Sequence, residues 1–398
     1  MALLQKNFLT IKNDHTLHDI DITLTHSPDI LPQNIQTDLY QLLTTYKTYI
    51  DTSPSWNKIK KISNVYEYIY IYNKHINNNI GTALYNPLSR SFFKLHEMIY
   101  DLQLLQTNSN KLIIVGLAEA PGGFIECIYN FRHTHQANNK DVYYCMSLIS
   151  NDNNIPSLYN LQKKIINNKL HIVTGEDQTG DIYNYKNIIY LQKKIGKKVD
   201  FVTADGGFNY DNLYNYQEQL SYKLIFSEIV TALHILKIGG TFVLKIFDIF
   251  THNTFHLLFF VSKFFKEINI IKPFSSRPAN SEKYVICKSF IGITQEYAQT
   301  LLETLLDWNV INHNFKSVVN IFTITETPKY NIIMRALQDY NMMFVKEQIK
   351  NILTTLTLIA CDLDDHKKEQ LNYIQASMSF FWCLKYKMEL NYKCKYLK

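Results

Sequence analysis

Between about residues 111 and 290, short apolar runs alternate with stretches of helical periodicity, and this alternation restricts the chain more than any other feature. The runs are KLIIVGL, DVYYCMSL, KLHIVT, VDFVTAD, GTFVLKIF, INIIKP and YVICKSF. Strands covered on both faces carry nearly continuous apolar runs, and connecting them through helices yields a parallel sheet. Seven runs therefore predict an α/β fold with a seven-stranded, mainly parallel sheet.

The flanks have a different period. From 32 to about 80 the spacing of Leu, Tyr, Ile and Val is mostly helical, with DTSPSWN as a turn. Ser89 or Ser91 then has the character of a cap before FFKLHEMIYDLQLL, where a helix is expected. From 294 onward the pattern is largely helical again and closes on the basic, aromatic CLKYKMELNYKCKYLK. The expected partition is a helical N-terminal region, 1–85, an α/β domain, 86–293, and a helical C-terminal region, 294–398.

Composition narrows the classes. Hydrophobic residues make up 46% of the 398 and charged residues 19%, the balance of a globular chain with a sizeable core. The net charge of +6 suits a polyanionic partner but does not single one out. Six cysteines lie far apart without a CxxC pair, which argues against a zinc site or a disulfide framework and for a reducing, intracellular compartment. No signal-peptide core opens the chain, and the apolar run around 255–265 is broken by Lys263, so no membrane segment is expected.

Chemistry concentrates at the ends of the strands. KLIIVGL runs into Ala118-Glu119-Ala120-Pro121-Gly122-Gly123-Phe124 and then a helix. Paired glycines admit a ligand close to the backbone, and the helix N-terminus behind them favours an anionic group. VDFVTAD ends on Asp205, at the sheet edge where open α/β folds bind ligands. Lys245 interrupts an apolar strand, which is costly unless the amine is paired or used. Glu282 stands at the head of YVICKSF.

In order and context, Lys94 in FFKLHE, Asp205 in TADGG, Lys245 in VLKIF and Glu282 in SSRPANSEKY resemble the Lys-Asp-Lys-Glu tetrad of the FtsJ-like RNA ribose 2'-O-methyltransferases. The segments LAEAPGGF, TGEDQTGDI, VTADGGF and NSEKYVICKSF are most similar to the mRNA cap 2'-O-methyltransferases of eukaryotes and large DNA viruses. The resemblance implies a Rossmann-like methyltransferase fold, S-adenosyl-L-methionine as cofactor, no metal, and capped mRNA as substrate, with other capping enzymes as partners. It also implies a cytoplasmic location, in a viral factory or virion for a viral protein, with the nucleus as the alternative. Cofactor contacts are expected from Glu119, Ala120, Pro121, Gly122, Gly123, Phe124, Asp181 and Asp205. Asp177 competes with Asp181, and a plain polar turn around Gly175 and Gly180 competes with both. Gly116 stands where many members of the family have an acid. Arg90, Lys272, Arg277 and Lys283 adjoin tetrad members in sequence and are candidates for RNA phosphate contacts. A desolvated Lys245 beside a second cation would have a lowered pKa and could act as base. The competing functions are 2'-O-methylation of ribosomal or transfer RNA, and a non-catalytic RNA-binding scaffold on the same fold.

Overall fold

A computed structural model describes every residue except 1, 6–7, 13–19, 27–33, 137, 153, 166–168, 209, 211–212, 311–317, 362 and 398. The chain forms two compact units, each assembled from three segments. One comprises Met1–Tyr40, Asn108–Lys272 and Glu282–Met343, the other Gln41–Thr107, Pro273–Ser281 and Phe344–Lys398.

The first unit is built on a nine-stranded sheet. Its order is Ala2–Gln5, Phe8–Lys12, Phe265–Ile271, Lys283–Phe290, Leu236–Ile246, Val199–Ala204, Ile113–Leu117, Val142–Met146, Leu170–Ile172. The last five strands of that order run parallel, while the first four pair antiparallel. All seven expected runs are strands of this sheet. The other two come from the N-terminal hairpin, so the stretch 1–85 is not helical throughout. A further strand there, Ile20–His26, pairs with Val318–Ile324 in a separate two-stranded sheet. Short, half-polar strands such as FLTIK give no long apolar run for the period to register.

Burial on both faces explains the apolar runs. Ile114, Val115, Leu117, Val202, Ala204, Phe242, Val243 and Leu244 are all buried. Helices Gly123–His135, Gln217–Ile235 and His252–Ser262 pack on the strands, and Phe226, Phe255, Phe259 and Phe260 join the same core. Local signals set the helix ends. Asn184 accepts from the Lys186 N–H to open Tyr185–Ile195, and Gly196 closes it at φ 63°, where a side chain would be strained.

The second unit contains helices Trp56–Ile62, Ser91–Asp101 and Asp365–Lys385, and a hairpin pairing Tyr72–Asn73 with Asn78–Asn79. Its polar interior is fully knit in places. The Gln375 amide donates to the carbonyls of Lys61, Ile62 and Asn64. Neither Ser89 nor Ser91 caps the helix Ser91–Asp101. Arg90 occupies the cap position without bonding the helix's first N–H groups through its side chain, and the two serine hydroxyls bond each other at 2.5 Å.

Candidate active site

Sheet register brings the key side chains together. In the parallel pair Ala204 lies opposite Leu244, and Leu117 lies opposite Ala204, so the next residues on the three strands, Ala118, Asp205 and Lys245, emerge side by side at their carboxyl ends. On the antiparallel side Lys245 is directly opposite Tyr284. Opposed residues share a face, and so do residues two apart on one strand, which places Glu282 near the same corner.

Within this cluster Lys245 Nζ donates to the Asp205 backbone carbonyl at 2.9 Å and lies 3.4 Å from Asp205 Oδ1. The two side chains are 11% and 12% exposed, deep but reachable. Tyr284 is wholly buried and donates its hydroxyl to Asp205 Oδ1 at 3.0 Å. Its ring lies 5.6 Å from that of Phe124. Gly207 leaves room above the amine, since a Cβ there would stand 3.1 Å from Lys245 Nζ. Burial acts to lower the pKa of Lys245, but Asp205, Glu282, Tyr210 and Glu228 outweigh it and hold it above the ordinary lysine value. This overturns the expectation of a depressed pKa: surrounding carboxylates dominate, and the resting amine is a firmly protonated ammonium.

Two further acids lie beneath. Glu119 is 3% exposed, and its carboxyl accepts from Thr203 Oγ1 at 2.7 Å and from the Ile125 N–H at 3.0 Å. Burial pushes its pKa to about 8 against those hydrogen bonds. Gly116 explains how it fits, because a Cβ at 116 would come 2.7 Å from Glu119 Oε1. The Glu119 carboxyl fills the space that a side chain at 116 would take, so the departure at Gly116 is matched three residues later. Glu228, on helix Gln217–Ile235, is 1% exposed and also carries a pKa raised by burial.

Of the expected cofactor residues, Ala120 and Pro121 are half-buried, whereas Glu119, Gly122, Gly123 and Phe124 are buried. Gly122 has φ 98° and packs on Leu161, where a Cβ would meet Cδ2 at 2.5 Å. Phe124 therefore supports Tyr284 from the core and can offer a ligand only backbone. In the loop after Leu170–Ile172, Asp177 is consumed by a turn. It accepts from the Thr179 N–H and hydroxyl and from the amides of Asn184 and Asn187, bonds that hold its pKa well below the usual carboxylate range. Asp181, half-buried, accepts from the Tyr183 N–H at 2.8 Å. Asp205, Glu282 and Asp181 give this edge an acidic character that fits a cationic cofactor. Among the described residues no group of His, Cys, Asp and Glu could hold a metal ion.

The expected RNA contacts fare differently. Lys283 is 0% exposed and donates to the Phe247 carbonyl at 2.9 Å, so it cannot meet a phosphate. Lys272, half-buried, donates to the Glu282 carbonyl at 2.9 Å. Arg90 and Arg277 belong to the second unit, where both serve Glu67. Arg277 binds its carboxylate with two nitrogens at 3.1 and 2.7 Å, and Arg90 donates to the carbonyls of Tyr66 and Ser275 while standing 3.4 Å from Glu67 Oε2. Arg90 is an internal brace rather than a free phosphate contact. Lys94 lies half-buried on helix Ser91–Asp101 of that unit. One turn on, Glu97 accepts from the Phe274 and Ser275 N–H groups, the Ser275 hydroxyl and the Trp382 indole.

The family model for FtsJ-like methyltransferases matches residues 87–290, just over half of the chain. The chain belongs to the FtsJ-like methyltransferase family. It is 26% identical over 372 residues to cap-specific mRNA (nucleoside-2'-O-)-methyltransferase 2 of Pongo abelii, covering 87% of this chain and 46% of that protein. To cap-specific mRNA (nucleoside-2'-O-)-methyltransferase 1 it is 36% identical over 185 residues for Drosophila melanogaster, covering 44% of this chain and 23% of the relative. For Trypanosoma cruzi the identity is 42% over 120 residues, covering 30% and 33%. The chain spans less than half the length of these relatives.

Sequence reasoning missed Tyr284 and Glu228. Tyr284 had a signal, since it lies two residues beyond Glu282 and a period of two puts both on one face. Glu228 had none, because a glutamate in a helix normally faces water.

Proposed function

We propose that the protein transfers a methyl group from S-adenosylmethionine to the ribose 2'-hydroxyl of a cap-proximal nucleotide of mRNA. The observation that supports this most is the cluster of Asp205, Lys245, Glu282 and Tyr284 at the strand ends beside the glycine turn, in a chain whose relatives bear cap-methyltransferase names. The cofactor supplies a methyl already activated as a sulfonium, so the chain's own residues must hold the hydroxyl in line and take its proton.

Lys245 is the group for that task. Its amine, held by Asp205, faces the space above Gly207. The hydroxyl O–H breaks, its proton passes to the neutral amine, and the oxygen forms the new bond to carbon as the carbon–sulfur bond breaks. Because neighbouring carboxylates keep the amine protonated, the reactive fraction is small at neutral pH and grows with pH. Asp205 and Glu282 orient the amine, and the family resemblance assigns the second cation's role to Lys94. Ala120, Pro121 and Asp205 hold the cofactor's methionine end and Asp181 its adenosine half. Arg277, about one third exposed, and Lys272 are the remaining candidates for RNA phosphates. Other capping enzymes are the natural partners, in whichever compartment caps are completed. No helix among the described residues is long and apolar enough to cross a membrane.

The test is transfer of radiolabelled methyl to short capped and uncapped RNAs, followed by mapping of the modified nucleotide. Cap-dependent labelling of a ribose near the 5' end is expected. Labelling of uncapped ribosomal or transfer RNA instead would overturn the substrate, and cofactor binding without transfer to any RNA would overturn the reaction.

A further inference from the structure

Beneath the cluster lies a carboxyl that the chemistry above leaves unused. Glu228 is 1% exposed, and its Oε1 has no hydrogen-bond partner among the described residues. Gly206 rests directly on it. A Cβ built at Gly206 would stand 2.5 Å from Glu228 Oε1, 2.8 Å from Leu224 Cδ2 and 3.2 Å from Ala118 Cβ. The turn Asp205-Gly206-Gly207 is thus wedged between Glu228 on one side and the glycine turn on the other. The Gly206 backbone lies against the same carboxyl, and Lys245, Asp205 and Glu119 face it electrostatically. Tyr183 and Tyr210 feel its charge as well.

A buried acid with an unsatisfied oxygen is expensive to keep, and hydrocarbon of the same shape would pack there without that cost. Its position supplies the reason. Through Gly206 it supports the turn whose first residue, Asp205, holds Lys245 by its carbonyl. Through space the Lys245 ammonium opposes the effect of burial on Glu228, and Glu228 in turn favours the charged amine, so the ionisation of each group depends on the other.

We propose that Glu228 is a positioning residue for Lys245, seating the 205–207 turn beneath the amine and lying in electrostatic contact with it. This rests on the reading that Lys245 serves methyl transfer, and two measurements separate the two ideas. The first does not involve activity: the Glu228 carboxyl is titrated by carbon NMR in protein with labelled glutamate, its resonance assigned with Glu228→Gln. In Lys245→Met the Glu228 titration moves to higher pH, because the opposing positive charge is gone. The second compares rates. Glu228→Leu loses both the acceptor and the charge and lowers methyl transfer at least about tenfold at unchanged cofactor affinity by calorimetry. Glu228→Gln keeps the acceptor and restores the rate to within about threefold of the parent, with a shifted pH profile. A Glu228 titration indifferent to residue 245, or a Glu228→Leu protein with the parental rate, overturns the proposal. If the parent protein transfers no methyl group, the functional reading fails, and the NMR coupling alone decides the role of Glu228.

Discussion

The carboxyl edge of the sheet and the interior of the second unit use the same residue types to opposite ends. The Glu97 and Glu67 carboxylates are both fully engaged by donors. Glu97 takes two backbone N–H groups, a hydroxyl and an indole, and Glu67 takes Asn64 and a two-nitrogen grip from Arg277. At the sheet edge Lys245 has one carbonyl at 2.9 Å and a carboxylate only at 3.4 Å, and Glu228 keeps an oxygen unused. Closed networks fix a segment in place. An open one leaves an amine able to change partners, which a reaction requires.

Replacing a residue in each region sharpens that contrast. Lys245→Ala should lower methyl transfer to capped RNA by at least about 100-fold, the scale of a general base, with little change in melting temperature. A near-normal rate would remove Lys245 from the chemistry. Glu97→Ala should do the reverse, lowering the unfolding free energy by about 2 kcal/mol because four donors lose their acceptor. Urea denaturation measures it, and an unchanged midpoint would show that the network is not holding the segment.

Acidity gives a test of intermediate size. Burial raises the pKa of Glu97 and of Glu218, each to about 7, so the folded protein binds their protons more tightly than the unfolded chain does. Their contribution is complete below the ordinary value of 4.5 and is lost as pH rises through about 7. Unfolding midpoints in urea should therefore fall across that window, and Glu97→Gln should flatten part of the slope. Methyl transfer should run the other way, rising with pH, because Lys245 needs its neutral form; a flat profile would make the ammonium an orienting group and not a base. Arg277→Ala, at a side chain about one third exposed, should cost roughly 1 kcal/mol or less, and a larger loss of RNA affinity than of stability would favour a phosphate contact.

Much of the first unit was legible because parallel strands are covered on both faces and announce themselves as apolar runs. The N-terminal strands were not, since FLTIK and IDITLTH are short and half polar. Asp205, Lys245 and Glu282 could be picked out because charge at the end of, or inside, such a run is costly. The basic residues show where that reasoning stops. Lys283 and Arg90 adjoin site residues in sequence, yet one is buried against a carbonyl and the other spans several backbone oxygens. Proximity along the chain says nothing of which acceptor a long side chain finds. Buried acids such as Glu97 and Glu228 are hidden for the same reason, the groups they meet lying dozens to hundreds of residues away.

The hairpin at the start of the chain has a practical corollary. Phe8–Lys12 pairs along Phe265–Ile271, and without it that strand would become the rim of the sheet, with its amide and carbonyl groups bare. A version trimmed to the 87–290 span would present a ready template for strands of its neighbours, and it should self-associate at concentrations where the longer chain does not.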